Sequence, residues 1–343
     1  MKFKGLGPEW FPVVLGTLSI SLALYINYLV FLNLWLFNAG KIIFFLVIAM
    51  FIFVLISVVY RYASKSGTLK MDYNNPTALS FLAFLGIIMY ALAFFYSAYI
   101  GINRIVAATF LYIYFIFYVY VIIINLLLNY NLYTNKYNSS EFSYAMLVPS
   151  IVIGGNIILS SIMLIKPLES YYTLSELKLI YFMIFVSLGI TFFQFLFVGI
   201  TAFIYHINKT EYLRSVPAAM IPVGASSMII INIMFLPYFN YLHLFNVPDY
   251  MAVDSSMLFF GFDTFLFLIS GVIAAGHIKR RQSMTVWAYV FPVGISTFSD
   301  YMIYSYTGIF IFKYAIVIFT IVLIILYIYS WINTYLIIKN PGV

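Results

Sequence analysis

Ten stretches of this sequence are long and apolar enough to cross a lipid bilayer. A transmembrane helix needs about 20 largely apolar residues, because the hydrocarbon layer is about 30 Å thick and a helix rises 1.5 Å per residue. The stretches run over 9–31, 41–60, 77–99, 104–129, 143–165, 178–206, 216–237, 254–277, 284–307 and 311–337. Hydrocarbon offers the backbone no hydrogen-bond partner, so each is predicted to be a helix. The breaks between them, such as GTLKMDYNNP, INKTEYLRS and HIKRRQS, carry nearly all the charge. Only 8% of the residues are charged, whereas a soluble domain runs near a quarter. The expected fold is therefore all-α and integral to the lipid bilayer, as one transmembrane domain over 1–343, because no break is long enough to hold another.

An even number of spans places both termini on one side. With the termini inside, the outer segments hold Lys41, Arg104, Lys166, Lys178 and Lys313, and the cytoplasmic segments hold the other twelve of the 17 lysines and arginines. That asymmetry predicts cytoplasmic N- and C-termini. It also accounts for the net charge of +7 without nucleic acid. The first apolar run is too long for a signal-peptide core and is read as a retained span. Asn138 and Asn208 fit the glycosylation pattern but fall on the cytoplasmic side, as chance matches. The chain has no cysteine, which excludes disulfides, iron–sulfur clusters and thiolate metal sites. His206, His243 and His277 are too scattered to form a metal site. No metal or cofactor is expected.

The prolines are distributed unevenly. Pro12, Pro149, Pro217, Pro222 and Pro292 fall in odd-numbered spans, Pro76 opens the third, and no even-numbered span has an interior proline. The chain therefore repeats with a period of two helices, as five hairpins. Proline removes a backbone donor and clashes with the preceding turn. Broken backbone at membrane depth is tolerated where protein or a water-filled cavity surrounds it. The odd spans are thus expected to line a central pore, with the even spans as an outer ring. Pro12, Pro149, Pro222 and Pro292, with Gly16, Gly154, Gly224 and Gly294, are the expected kinks that shape the pore. Thr17, Ser226, Ser296 and Thr297 are the candidates to line it.

Charge inside the spans is sparse. Asp263 lies within the eighth span, where an intramembrane carboxylate is a functional candidate by default; a neutral, hydrogen-bonded aspartate or a subunit contact is the alternative. Asp300, near the outer end of the ninth span, is expected to be a solvated end cap. The HIKRR run at 277–281 is a topology determinant that could also draw anions to the inner mouth. There is no nucleophile motif, phosphate loop or paired carboxylates on one helix, so an enzyme is not expected. Kinked spans without deep charge suit a small anionic substrate, because neutral donors bind an anion weakly enough to release it. A receptor or purely structural membrane protein is the alternative, but it does not explain prolines confined to alternate spans.

Two motifs add to this reading. EWFPVVLGT in the first span and WAYVFPVGIST at 287–297 resemble signatures of the tellurite-resistance/dicarboxylate transporter family, which includes malate permeases, sulfite efflux pumps and plant slow-type anion channels. The ten-span plan extends the resemblance across the chain. It implies a homotrimer in the cell membrane, each subunit holding its own pore of five inner helices. It also implies a phenylalanine gate, and the matching residue is Phe291. Two departures weaken the transfer of a substrate: Leu18 follows Thr17 where many relatives have a second glycine, and Trp287 stands alone where several have two. Malate, sulfite, nitrate and chloride all remain candidates, as do channel and carrier.

Overall fold

The computed structural model describes residues 6–134, 142–164, 170–207, 216–277 and 284–339. Asn138, Asn208 and the basic residues at 279–281 lie outside them. Thirteen α-helices account for these segments: α1 Phe11–Phe31, α2 Leu34–Ser64, α3 Thr68–Tyr73, α4 Pro76–Leu82, α5 Phe84–Tyr99, α6 Arg104–Tyr133, α7 Val148–Gly154, α8 Ile157–Met163, α9 Leu174–Ile207, α10 Ile221–Phe235, α11 Asp249–His277, α12 Val290–Thr307 and α13 Phe310–Lys339. Short 3-10 turns complete the described secondary structure, and the fold is all-α.

Polar caps mark several helix ends. Asn33, Asn75 and Asn103 accept backbone N–H groups at the starts of α2, α4 and α6, satisfying donors that the first turn leaves free. Gly308, at φ 64°, ends α12 in the left-handed region that glycine adopts without strain. Behind α2, Asp72 accepts both Arg61 guanidinium nitrogens at 2.6 and 3.0 Å and the Tyr62 hydroxyl at 2.9 Å. Arg61→Ala leaves a nearly buried carboxylate unpaired and is expected to cost about 1.5–3 kcal/mol, read as a lower unfolding temperature in detergent.

Among the described residues, nine helical segments are long and apolar enough to cross a membrane. The segment at 284–307 is not among them; it carries Ser296, Thr297, Ser299 and Asp300. Burial separates the spans into two classes. In the most apolar stretch of each odd segment, 72% (Pro8–Phe31), 72% (Pro76–Tyr99), 100% (Tyr144–Met163) and 89% (Pro217–Leu242) of the residues are buried. The corresponding shares are 33% for α2, 28% for α6, 22% for Leu174–Ile204, 11% for Asp249–Gly276 and 22% for α13. The fifth inner segment, α12, is buried from Val290 through Asp300. Helices α1, α5, α7–α8, α10 and α12 pack in chain order as a closed ring, with α12 returning to α1. Helices α2, α6, α9, α11 and α13 each pack on the inner segment next to them in sequence.

The backbone irregularities are not quite where the prolines predict them. Pro12, Pro149 and Pro222 stand in the first turn of α1, α7 and α10, and Pro292 is the third residue of α12. Each follows a 3-10 turn: Pro8–Trp10, Tyr144–Leu147, Val216–Met220 and Met284–Tyr289. The expectation of kinks inside continuous helices is corrected accordingly. Proline's missing N–H has no partner to lose in a first turn, so the residue marks where the tighter turn gives way to α-helix. The mid-span break of the fifth span lies instead between α7 and α8, at Gly155–Asn156.

Candidate permeation pathway

Inside the ring are two small cavities stacked along α1 and α12. The first is walled by Pro12, Phe81, Phe84, Trp287, Phe291 and Pro292, together with residues of α7, α10 and the 284–289 turn. The second is walled by Leu18, Ser19, Ile87, Phe94, Phe291 and Phe298, among others. Phe291 is the one side chain common to both walls. Each cavity measures about 20 Å³, room for about one water molecule. The Phe291 ring is 7% exposed and meets Phe84 edge-on, with centroids 6.2 Å apart. Seven residues on, Phe298 packs against Phe94 and Phe235 at 6.2 and 6.1 Å. The walls of both cavities are almost wholly apolar.

Glycines set how closely the inner helices approach. A Cβ on Gly294 would stand 2.5 Å from Cβ of Ser19 on α1, and one on Gly224 would stand 3.3 Å from Cα of Pro292. Gly16 lies against the Trp287 ring and Gly154 against Thr191 of α9. These four therefore act at helix–helix contacts, as small residues do in membranes. Gly294→Ala is expected to cost about 1–3 kcal/mol from overpacking against α1, and its unfolding temperature checks this.

The polar candidates lie elsewhere than expected. Thr17 donates to the Val13 carbonyl and lies 3.4 Å from the Tyr327 hydroxyl of α13. Ser226 donates to the Phe259 carbonyl of α11 at 3.1 Å. Thr297 donates to the Gly294 carbonyl, and Ser296 meets Ser227 and the Asp263 carboxylate. None of the four lines either cavity. This corrects the expectation that they face the pore. A hydroxyl in an apolar helix bonds its own preceding turn or a neighbouring helix: Thr17, Ser226 and Ser296 reach a neighbouring helix, and Thr297 bonds its own. Asp263 is 1% exposed and turns inward, accepting the Ser227 hydroxyl at 3.0 Å. Asp300 is fully buried, 0% exposed; it is not a solvated cap, because about two further turns of α12 lie beyond it.

Some contributors have no sequence signal of their own. Phe84, Phe94 and Phe298 are three of 36 phenylalanines, and only the ring's closure brings them to the cavities. Asn232 of α10 donates to the Gly154 carbonyl at 2.9 Å, satisfying a backbone group at the α7–α8 break. Asn156, in that break, donates to Ser187 and Tyr114 at 2.8 and 3.2 Å. Outside the ring, a third cavity of about 220 Å³ lies between α9 and α11, with Pro222 in its wall.

A ring of helices around small apolar, aromatic-lined cavities narrows the comparison with known proteins. The family model described as SLAC1, voltage-dependent anion channel, matches residues 5–335. The chain belongs to the SLAC1 family. This is the family whose motifs EWFPVVLGT and WAYVFPVGIST it resembles. No curated protein matches the chain. The family's members are transporters or channels for anions rather than enzymes, and this member is a multi-pass membrane protein.

Proposed function

We propose that this protein moves small anions through the space its inner helices enclose, and that Phe291 closes that space. The observation that carries the reading is that Phe291 alone belongs to the walls of both cavities. A ring in that place excludes water and ions without a charge, as a hydrophobic constriction. The five inner and five outer helices are read as five hairpins about this axis.

Preference for anions needs no buried lysine. The first cavity is walled almost wholly by apolar side chains and by no charged one, so an anion there meets no fixed cation that would trap it; the family membership carries the choice of anions.

The substrate class is small anions: a C4-dicarboxylate such as malate, sulfite, nitrate or chloride. The assembly is a homotrimer in the cell membrane with cytoplasmic termini, as the family resemblance and the asymmetry of basic residues support. The test is uptake of each of these anions into proteoliposomes with the membrane potential clamped. Flux of at least one above the empty-vesicle rate is expected. No anion moving faster than in empty vesicles contradicts the reading.

A further inference from the structure

Directly behind the neutral cavity wall lie two acidic side chains. Asp263 of α11 and Asp300 of α12 are 1% and 0% exposed. Ser227 Oγ donates to Asp263 Oδ1 at 3.0 Å, Ser296 Oγ lies 3.5 Å from Oδ2, and the two hydroxyls are 2.9 Å apart. Asp300 follows Ser296 by four residues, which places it one turn along the same face of α12. Neither of its carboxyl oxygens has a hydrogen-bond partner. Ser296, one turn before Asp300, is in contact with Asp263, so the two carboxyls flank the same contact. Phe291 is nine residues from Asp300, two and a half turns, so the cavity face and the acidic face of α12 are opposite.

We propose that Asp263 and Asp300 form a proton-binding centre behind the pore wall, whose proton holds α11 against the inner helices α10 and α12. Two ionised carboxylates in an apolar interface repel each other and have lost their water. A cation must offset them, and among the described residues the recorded ion pair is Arg61–Asp72, remote from both. A proton on one carboxyl removes a charge from the apolar interface and ends the repulsion between the two. None of the three cavities described above reaches either carboxyl, and no group of three His, Cys, Asp or Glu that could hold a metal occurs among the described residues.

The packed elements bring no competing charge. Helix α10 contains no ionisable residue. On α11, Asp249 and Asp254 are exposed. Lys313 of α13 lies over the Phe31 ring at 4.8 Å, and Tyr327 of α13 meets Thr17. Tyr25 of α1 and Tyr301 of α12 act on each other. The proton therefore resides on one carboxyl of the pair rather than being replaced by a neighbouring cation.

The centre bears on the gate because α12 carries both. Ser296, which touches Asp263, lies five residues from Phe291. Loss of the proton sets like charges against one another at this contact and shifts α12, so anion flux depends on pH. This last step rests on the proposed anion pathway; the proton centre does not.

The test has two arms on the full-length protein. Infrared spectra at neutral pH should contain a C=O stretching band from a protonated carboxyl that shifts in D2O. The band should weaken in Asp263→Asn and Asp300→Asn and vanish in the double variant. Spectra of the wild-type protein without that band overturn the centre, and this needs no variant to fold. In proteoliposomes, wild-type anion flux should change between mildly acidic and mildly alkaline pH. Both asparagine variants, uncharged and nearly isosteric, should lose that dependence and hold the acidic-pH rate throughout. A band together with pH-independent wild-type flux overturns the link to the gate. A band with no anion flux in any variant, Phe291→Ala included, overturns the transport reading and leaves the proton centre standing.

Discussion

Phe291→Ala raises anion flux through the reconstituted protein by roughly tenfold or more. A dewetted aromatic constriction opposes an anion by the several kcal/mol that an unsolvated ion costs, and each 1.4 kcal/mol removed is worth about tenfold in rate. Truncation joins the two cavities that Phe291 separates. The ring borders a one-water cavity on each side but also packs in the hydrophobic core, so the truncation lowers stability as well. A phenylalanine in a filled core would cost about 3–5 kcal/mol when truncated, and less is expected here. Phe53→Ala, at a ring 59% exposed on α2, should leave flux unchanged. Flux and unfolding temperature measured on one preparation separate the outcomes: a destabilised protein with unaltered flux removes Phe291 from the gate.

The second large effect is structural. Trp287 is fully buried, donates its indole N–H to Thr334 Oγ1 at 2.9 Å, and meets the rings of Tyr327 and Trp331 edge-on at 5.7 and 5.3 Å. On its other side it lies against Gly16. One side chain thus ties the turn before α12 to both α1 and α13. Trp287→Ala should cost about 3–5 kcal/mol, whereas Thr334→Val, which leaves the buried indole N–H without its acceptor, should cost about 1–3 kcal/mol. Thermal unfolding in detergent measures both. Equal small losses in the two variants would contradict the anchoring role.

The membrane class was legible because hydrocarbon leaves the backbone few options. The separation of inner from outer spans was legible because proline at membrane depth requires surrounding protein. What the prolines do locally was not. Pro149 and Pro222 look like helix breakers in a linear string, yet each occupies a first turn where its missing N–H has no consequence. The 3-10 turns before them arise from how four segments enter the ring, which no local pattern records. The hydroxyls misled for a related reason. Thr17 and Ser226 share spans with cavity-facing residues, but their faces are set by packing against α13 and α11. Asp300 shows the same limit: its position near a span end suggested solvent, and only the remaining length of α12 with its neighbours explains its burial. Phe84 and Phe298 became candidates when the chain closed on itself.

The most direct measurement of the central claim is the reversal potential of Phe291→Ala channels in a planar bilayer under a potassium chloride or potassium nitrate gradient. Current reversing near the equilibrium potential of the anion is the predicted result. Reversal near the potassium potential, or no current above that of the bare bilayer, would contradict an anion pathway closed by Phe291.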